Sequence, residues 1–227
     1  YASAKGITYA LGGSYYDLSR NEGARLQPYA LIDSPEERDW SFGWTVDYLE
    51  LVGVDVSPQR KTEITLALDV LSEFEPRFRT ITSFRALVQD EQIWDAMSAL
   101  CVGGAAGHIF DNEDHFLGSG EDVLCFEMSK LLETTKIAIE PALAAIYREI
   151  ERGLDGRPTL LVIDEAQHFK RIPSFRRNFA TRLETARKRR MAIILATPDL
   201  SAFTDDEEFA EIVKRGCQTK VFLGNPG

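Results

Sequence analysis

The 227-residue sequence contains little cysteine, and its three cysteines, Cys101, Cys125 and Cys217, are far apart. An odd number at such spacings predicts neither a disulfide framework nor a CxxC metal site, and it fits a reducing cytoplasm. The sequence also has no uncharged apolar run close to the roughly 20 residues of a membrane span, and nothing at its start resembles a signal peptide. Because the first residue is Tyr1 and not Met, we expect the chain to be a fragment of a longer protein.

Positive charge is scarce overall but concentrated in one segment. The formal net charge is −10, yet the range 170–190 carries nine Lys or Arg residues against the single acid Glu184. That segment has a net charge of +8, which leaves −18 for the remainder. The acidic remainder excludes a general nucleic-acid surface, whereas the basic segment is one cationic element that could meet an anion.

Histidine is also rare, but two of the three histidines stand in an acidic segment, which holds His108, Asp111, Glu113, Asp114 and His115. A metal site is one interpretation of this segment. The segment lacks the glycine and glutamate positions of an EF-hand loop and has no zinc-ligand spacing. We therefore predict an acidic surface loop here.

The most informative stretch is the range 159–163, which has five apolar or β-branched residues and is followed by Asp164 and Glu165. A continuous run of this kind predicts a strand buried on both faces, as in parallel sheets. Open α/β sheets bind their ligands at the carboxyl ends of such strands. In a Walker B motif, the Asp holds Mg²⁺ through water and the next carboxylate polarises the attacking water. The alternative is a core strand that ends in a solvated Asp-Glu pair.

The range 34–103 predicts helices without an intervening strand. Helix starts are predicted at Ser34-Pro35 with a capping box, at Ser57-Pro58, at Thr82 or Ser83, and at Asp90. The first helix places Trp40, Trp44 and Tyr48 at helical spacing, and we expect them in the core. An all-helical stretch within an α/β chain indicates an insertion subdomain.

Strands and helices alternate in the remaining sequence. Strands are predicted at 15–18, 123–126, 159–163, 191–197 and 220–223, with that at 191–197 fully buried. Helices are predicted at 3–11, 136–153, from 173 onward through the basic segment, and at 205–215. This order predicts right-handed crossovers between parallel strands.

A phosphate-binding loop of the form G-x-x-x-x-G-K-[ST] does not occur in the 227 residues. The range 103–107 has three glycines but no Lys followed by Ser or Thr, so we predict a helix-terminating turn there.

With the elements in this order, nearly the whole chain resembles the TrbE/CagE family of conjugative type IV secretion ATPases, the fourth VirB component. The matching segments are LLVIDEAQHF, ETARKRRMAIILATPDL and CQTKVFLGNP, and upstream YALGGSYYDL and ARLQPYALIDSPEERDW. The resemblance implies an α/β fold, namely a RecA-like P-loop NTPase core with a mainly parallel sheet plus an all-helical insertion subdomain. Residues 1–33 would begin the core, 34–118 would form the insertion, and 119–227 would complete the core with Walker B.

The resemblance also implies roles for individual residues. Asp164 would bind Mg²⁺ of a bound ATP, and Glu165 would be the catalytic carboxylate. Gln167 and Thr197 would contact the nucleotide, Thr197 at the sensor position, where Pro198 follows in place of the family's usual Gln. Arg187 would stabilise charge across a subunit boundary, with a solvated surface arginine as the alternative.

The implied function is ATP hydrolysis that drives apparatus assembly or substrate transfer, at the cytoplasmic face of the inner membrane. The implied partners are further copies in a hexamer, other type IV secretion components, and DNA at the basic helix 174–190. The alternatives are a related hexameric nucleic-acid translocase or helicase and a non-catalytic interaction module. The family's P-loop would lie before Tyr1, so we expect the 227-residue chain alone to be inactive.

Overall fold

The computed structural model describes residues 2–18, 25–114, 121–128, 136–198 and 207–224. The chain divides into two compact units, the N-terminal unit Tyr1–Gly153 and the C-terminal unit Leu154–Gly227. Both contain helices and a pair of parallel strands, which confirms the predicted α/β class.

Helices dominate the N-terminal unit. Its helices are α1 Ala2–Ala10, α2 Pro35–Leu51, α3 Pro58–Ser72, α4 Ile81–Leu87, α5 Glu91–Met97, α6 Gly107–Phe110 and α7 Lys136–Arg152. Its two strands, β1 Ser14–Asp17 and β2 Leu124–Glu127, pair in parallel from Ser14 opposite Leu124 to Asp17 opposite Glu127. The described part of 34–103 contains no strand, as predicted.

Helix α2 begins after Ser34 as predicted, but the capping box does not form. The Ser34 side chain makes no capping hydrogen bond. The glutamate of the box, Glu37, instead accepts a hydrogen bond of 2.8 Å from Arg148 of α7. A charge-assisted bond between two packed helices is stronger than a neutral cap, and a local pattern cannot reveal a partner 111 residues away.

The starts of the next three helices depend on side-chain caps. Ser57 accepts from the Arg60 backbone N–H, and Asp90 accepts from those of Gln92 and Ile93, as predicted. Helix α4 begins two or three residues earlier than predicted, because its cap is Thr80 and not Thr82 or Ser83.

Aromatic side chains from α2 form the middle of the core. Trp44 and Tyr48 are buried as predicted, while Trp40 is only half-buried. The Trp44 indole N–H donates to the Pro141 carbonyl at 3.0 Å, and this bond ties α2 to α7. The Tyr29 hydroxyl lies 2.9 Å from that of Thr45, so both of these buried hydroxyls have a partner.

The glycine-rich segment 103–107 forms a tight turn before α6, as predicted. A Cβ atom built at Gly104 would lie 2.2 Å from the Ser98 carbonyl oxygen, and one at Gly107 would lie 1.9 Å from that of Cys101. Only glycine permits this close approach of backbone to backbone.

The C-terminal unit is built around a second parallel pair. Its strands are β3 Thr159–Ile163 and β4 Met191–Leu195, and its helices are α8 Pro173–Ala186 and α9 Glu207–Gly216. The register runs from Thr159 opposite Met191 to Ile163 opposite Leu195. The predicted parallel pairing of these strands across the basic helix is thereby confirmed.

Two predictions for this unit are wrong. Strands β3 and β4 are not buried on both faces, since Leu160 is 59% exposed, Val162 55% and Ile194 50%. The predicted strand at 220–223 is also not formed, and its residues are exposed. A strand needs a hydrogen-bonding neighbour and a buried face needs a covering layer, and an apolar run alone supplies neither.

Within the described residues, we find no helix that combines the length and apolarity needed to cross a membrane.

Candidate functional site

The candidate site lies at the carboxyl ends of β3 and β4. Backbone pairing continues past both strands, because the Ala196 N–H donates to the Ile163 carbonyl and the Ala166 N–H donates to the Ala196 carbonyl, each at 2.9 Å. This pairing brings the residues after β3 alongside those after β4. The predicted residues Asp164, Glu165, Gln167 and Thr197 therefore share one edge of the sheet.

Asp164 is the first residue after β3, and its side chain is exposed. Its Oδ1 accepts the Glu165 backbone N–H at 3.0 Å, which orients the carboxylate at the strand end. An exposed carboxylate oriented in this way has the donor chemistry that Mg²⁺ prefers, and it leaves room for coordinated water.

Glu165 has a left-handed backbone conformation, with φ 51° and ψ 42°. A non-glycine residue rarely adopts this conformation, and such strain often lies at functional sites. The next residue, Ala166, is buried, and a short 3₁₀ helix, Ala166–Arg171, begins there. The sharp turn lifts the Glu165 side chain to a half-buried position at the sheet edge.

Gln167 connects the two strand ends through its side-chain amide. Its Nε2 donates to Glu165 Oε2, and its Oε1 accepts from the Thr197 hydroxyl at 3.0 Å. We call this chain of side chains the Glu165–Gln167–Thr197 relay. The sequence predicts all three residues at the site but not their bonds to one another. The available signal is that both segments directly follow paired strands.

Arg187 lies elsewhere. It follows α8 and has an exposed side chain, in a turn that leads to the start of β4. The carboxylates follow the other end of the sheet, four strand residues away, or about 13 Å at 3.3 Å per residue. The structure therefore does not bring Arg187 to the carboxylates of its own chain.

Among the residues of the basic segment whose exposure the structure describes, Lys188, Arg189 and Arg190 are also exposed, and they directly follow Arg187. Arg190 has a positive φ of 56°, and its Nη1 donates to the Gly156 carbonyl at 2.9 Å. This contact anchors the turn and leaves a cluster of positive charge at the amino ends of the strands.

Part of the acidic segment at the end of α6 is buried and hydrogen-bonded within the fold. Glu113 and Asp114 are exposed as predicted, but Asp111 is buried and accepts from the Thr82 hydroxyl and from the Val102 N–H at 2.6 Å. His115 lies outside the described residues. Within the described ranges, no group of three or more His, Cys, Asp or Glu side chains is arranged to hold a metal ion.

The cysteines offer no activated nucleophile. Burial raises the pKa of the thiols of Cys101, Cys125 and Cys217. Cysteine reactivity requires a thiolate, and a raised pKa keeps these thiols protonated at neutral pH.

Comparison with known proteins gives a consistent result. The chain is 28% identical to the conjugal transfer protein TrbE of Rhizobium radiobacter, over 97% of its own length and 26% of that protein. It is also 28% identical to the protein virB4 of Rhizobium radiobacter, over 97% of its length and 28% of that protein. Over nearly its whole length, the chain is thus similar to conjugal transfer TrbE and virB4 proteins. It spans about a quarter to a third of the length of these relatives.

A solved protein structure has a similar fold. VirB4 of Thermoanaerobacter pseudethanolicus matches 92% of this chain and 63% of its own chain, with a TM-score of 0.65 at 15% identity. This match shows that the chain has the fold of that protein. A scan against models of known protein families finds no match.

Proposed function

We propose that this chain is part of the ATPase motor of a type IV secretion or conjugal transfer system. The observation that carries the proposal is the meeting of Asp164 and Glu165, after β3, with Thr197, after β4, at one edge of a parallel sheet. Parallel sheets bind ligands at this edge, and the similarity to TrbE and virB4 proteins supports the secretion context.

The proposed chemistry assigns separate tasks to the two carboxylates. Asp164 would hold Mg²⁺ through water, and the cation would neutralise charge on the phosphates of ATP when bound. Glu165 would orient the attacking water and accept its proton. The exposure of Asp164 and the half-buried position of Glu165 suit these tasks.

We also propose the division of the chain into residues 1–33 and 119–227 as parts of a RecA-like core and 34–118 as a helical insertion. The uninterrupted series of helices α2 to α6 supports the insertion.

Arg187 is proposed to serve the site of a neighbouring copy in a hexamer. Its exposure and its location at the other end of the sheet from Asp164 and Glu165 support a role in trans. We propose DNA as a second anion for the basic segment 174–190, of which α8 covers only the part up to Ala186, and a steep salt dependence of DNA binding would test this. Other secretion components and the cytoplasmic face of the inner membrane are the proposed surroundings.

The test uses the full-length protein that carries this sequence together with a P-loop. Glu165→Gln retains size and hydrogen bonding but removes the base, so ATP should still bind while turnover falls about 10²-fold or more. Asp164→Ala should instead weaken the Mg²⁺-dependent part of nucleotide binding. Turnover by steady-state assay and affinity by fluorescent-nucleotide titration measure the two effects.

The matched control is Glu73→Gln, which alters an exposed glutamate after α3 and should leave turnover unchanged. Near wild-type turnover in Glu165→Gln would contradict the proposed base. The 227-residue chain alone should bind Mg-ATP negligibly, because its sequence contains no phosphate-binding loop.

A further inference from the structure

The side chain of Gln167 is held at both ends. Its amide nitrogen donates to Glu165 Oε2, and its amide oxygen accepts from Thr197 Oγ1 at 3.0 Å. One contact spans two residues within the turn after β3, and the other spans 30 residues to the segment after β4. The amide therefore ties the proposed catalytic carboxylate to the neighbouring strand.

The chemistry of the three groups fixes the direction of the relay. An ionised carboxylate can only accept, so the amide must present its N–H₂ to Glu165. The amide oxygen then faces Thr197, whose hydroxyl supplies its single proton to that oxygen. Each group thus has one orientation that satisfies its neighbours, and the relay holds the Glu165 carboxylate in one position.

From this geometry we infer that Gln167 is a positioning residue for Glu165 and not a nucleotide ligand, and that Thr197 acts through Gln167. The inference rests on the proposed function, because it assigns how the proposed base is held. It replaces the nucleotide contacts that resemblance alone implied for these two residues.

Two observations favour positioning over ligand binding. The Gln167 amide is already bonded at both ends, so a nucleotide could reach only its second N–H or the second lone pair of its oxygen. A phosphate that took the Thr197 proton would leave the amide oxygen without that donor. Glu165 also has a left-handed backbone, so its side chain starts from a conformation that needs support from its surroundings. A hydrogen bond from an amide to a carboxylate is charge-assisted and supplies that support.

The test is a double-mutant cycle in the full-length protein. Gln167→Leu removes both amide bonds at similar volume, and Thr197→Val removes the hydroxyl at nearly constant shape. Each variant should lower kcat about 10- to 100-fold, since a displaced catalytic group costs up to about 10²-fold. Affinity for a non-hydrolysable ATP analogue should stay within about twofold of wild type, because neither side chain is inferred to touch the nucleotide.

The double variant distinguishes a relay from two independent effects. If both substitutions break the same relay, Gln167→Leu/Thr197→Val should be no slower than the slower single variant. Thr197→Ser restores the hydroxyl donor and should bring kcat back close to the wild-type value. The controls are Gln59→Leu and Thr65→Val, which alter exposed residues of α3 and should change neither rate nor affinity.

A weakened analogue affinity with unchanged kcat in Gln167→Leu would overturn the inference in favour of a ligand role. Losses of kcat that multiply in the double variant would also overturn it. The unfolding temperatures of the single and double variants, measured without nucleotide, test the relay independently of ATPase activity. If the shifts in unfolding temperature are non-additive but the wild-type protein has no ATPase activity, the proposed function is rejected and the Gln167–Thr197 contact is retained. Additive shifts would reject the relay itself.

Discussion

The two units of this chain differ in how completely they bury their apolar residues. In the N-terminal unit, several large side chains have no solvent exposure, and among them are Tyr29, Ile32, Leu49, Ile64, Phe84 and Phe110. In the C-terminal unit, Phe179 and Phe209 are similarly buried, but β3 and β4 expose apolar side chains on one face. The better packed unit is thus not the one that holds the candidate site.

The well-packed core and the candidate site therefore lie in different units of the chain. The helical part of the N-terminal unit is fastened by buried aromatic contacts and ion pairs, whereas the C-terminal unit presents carboxylates, cations and an uncovered apolar surface. Uncovered apolar surface on this scale marks a place where another surface packs. We expect substitutions to affect folding in the first unit and association or catalysis in the second.

The buried hydrogen bonds of the N-terminal unit are best seen at Arg79, which is 4% exposed and donates to several acceptors. Its guanidinium makes a bidentate pair with Asp33, at 2.5 and 2.7 Å. It also donates to the carbonyls of Ala30, Ser72 and Phe74, at 2.9–3.1 Å. One side chain therefore joins the end of α3 to the segment that precedes α2.

The largest effect is expected for Arg79→Ala. The free energy of unfolding should fall by about 3 kcal/mol or more, since each buried acceptor left without a partner costs about 1–3 kcal/mol. Denaturant unfolding followed by tryptophan fluorescence measures this change in the N-terminal unit alone, because Trp40, Trp44 and Trp94 all lie there.

Arg77→Ala is the matched control for Arg79→Ala. Arg77 is two residues away and pairs with Glu75 at 3.1 Å, but its side chain is 60% exposed. Exposed ion pairs contribute about 0–1 kcal/mol, so this variant should unfold almost like the wild type. Equal losses in the two arginine variants would contradict the role assigned to burial.

The next effect concerns the uncovered face of β3 and β4. In the parallel register Leu160 stands opposite Ala192 and Val162 opposite Ile194, so the exposed side chains form two adjacent rows. We predict that the 227-residue chain self-associates through this face. Val162→Lys should weaken association about 10-fold, since loss of one buried aliphatic side chain costs about 1.5 kcal/mol or more.

Sedimentation over a range of protein concentrations measures this association. Leu66→Lys is the matched control, because Leu66 is 60% exposed on α3 in the better packed unit. If Leu66→Lys weakened association as much as Val162→Lys, or if neither did so, the sheet face would not be the contact.

Local sequence signals predicted much of this architecture. Serine and aspartate caps located the starts of α3 and α5, and the apolar run before Asp164 located β3, because these signals act within one turn or one strand. Contacts between distant residues escaped prediction: Arg148 recruits Glu37 away from its cap, and Thr197 bonds to Gln167. An apolar run also cannot reveal whether a second layer covers both faces of its strand.

The smallest effect we predict is a pH dependence of unfolding in the N-terminal unit. Hydrogen bonds from Arg79 hold the pKa of Asp33 below its usual value, and hydrogen bonds from Arg60 and from the Ile93 and Gln92 N–H groups do the same for Asp90. A carboxylate with a lowered folded-state pKa contributes stability that is complete above its unfolded pKa. That stability is lost as the pH falls through the lower folded-state pKa.

The pH-dependent loss should therefore begin near the ordinary aspartate pKa of 3.8 and continue below it. Asp33→Asn/Asp90→Asn should flatten this part of the pH profile, by about 1 kcal/mol or less per site, because the Asp33 side chain is exposed and the half-buried Asp90 side chain still contacts solvent. Asparagine at position 90 preserves the helix cap, so a change there reports the charge and not the cap. Tryptophan-detected unfolding between about pH 5 and 2 measures the profile, with Asp95→Asn on the exposed side of α5 as the control. A double variant whose profile remained as steep as that of the wild type would place the acid sensitivity of this unit in other groups.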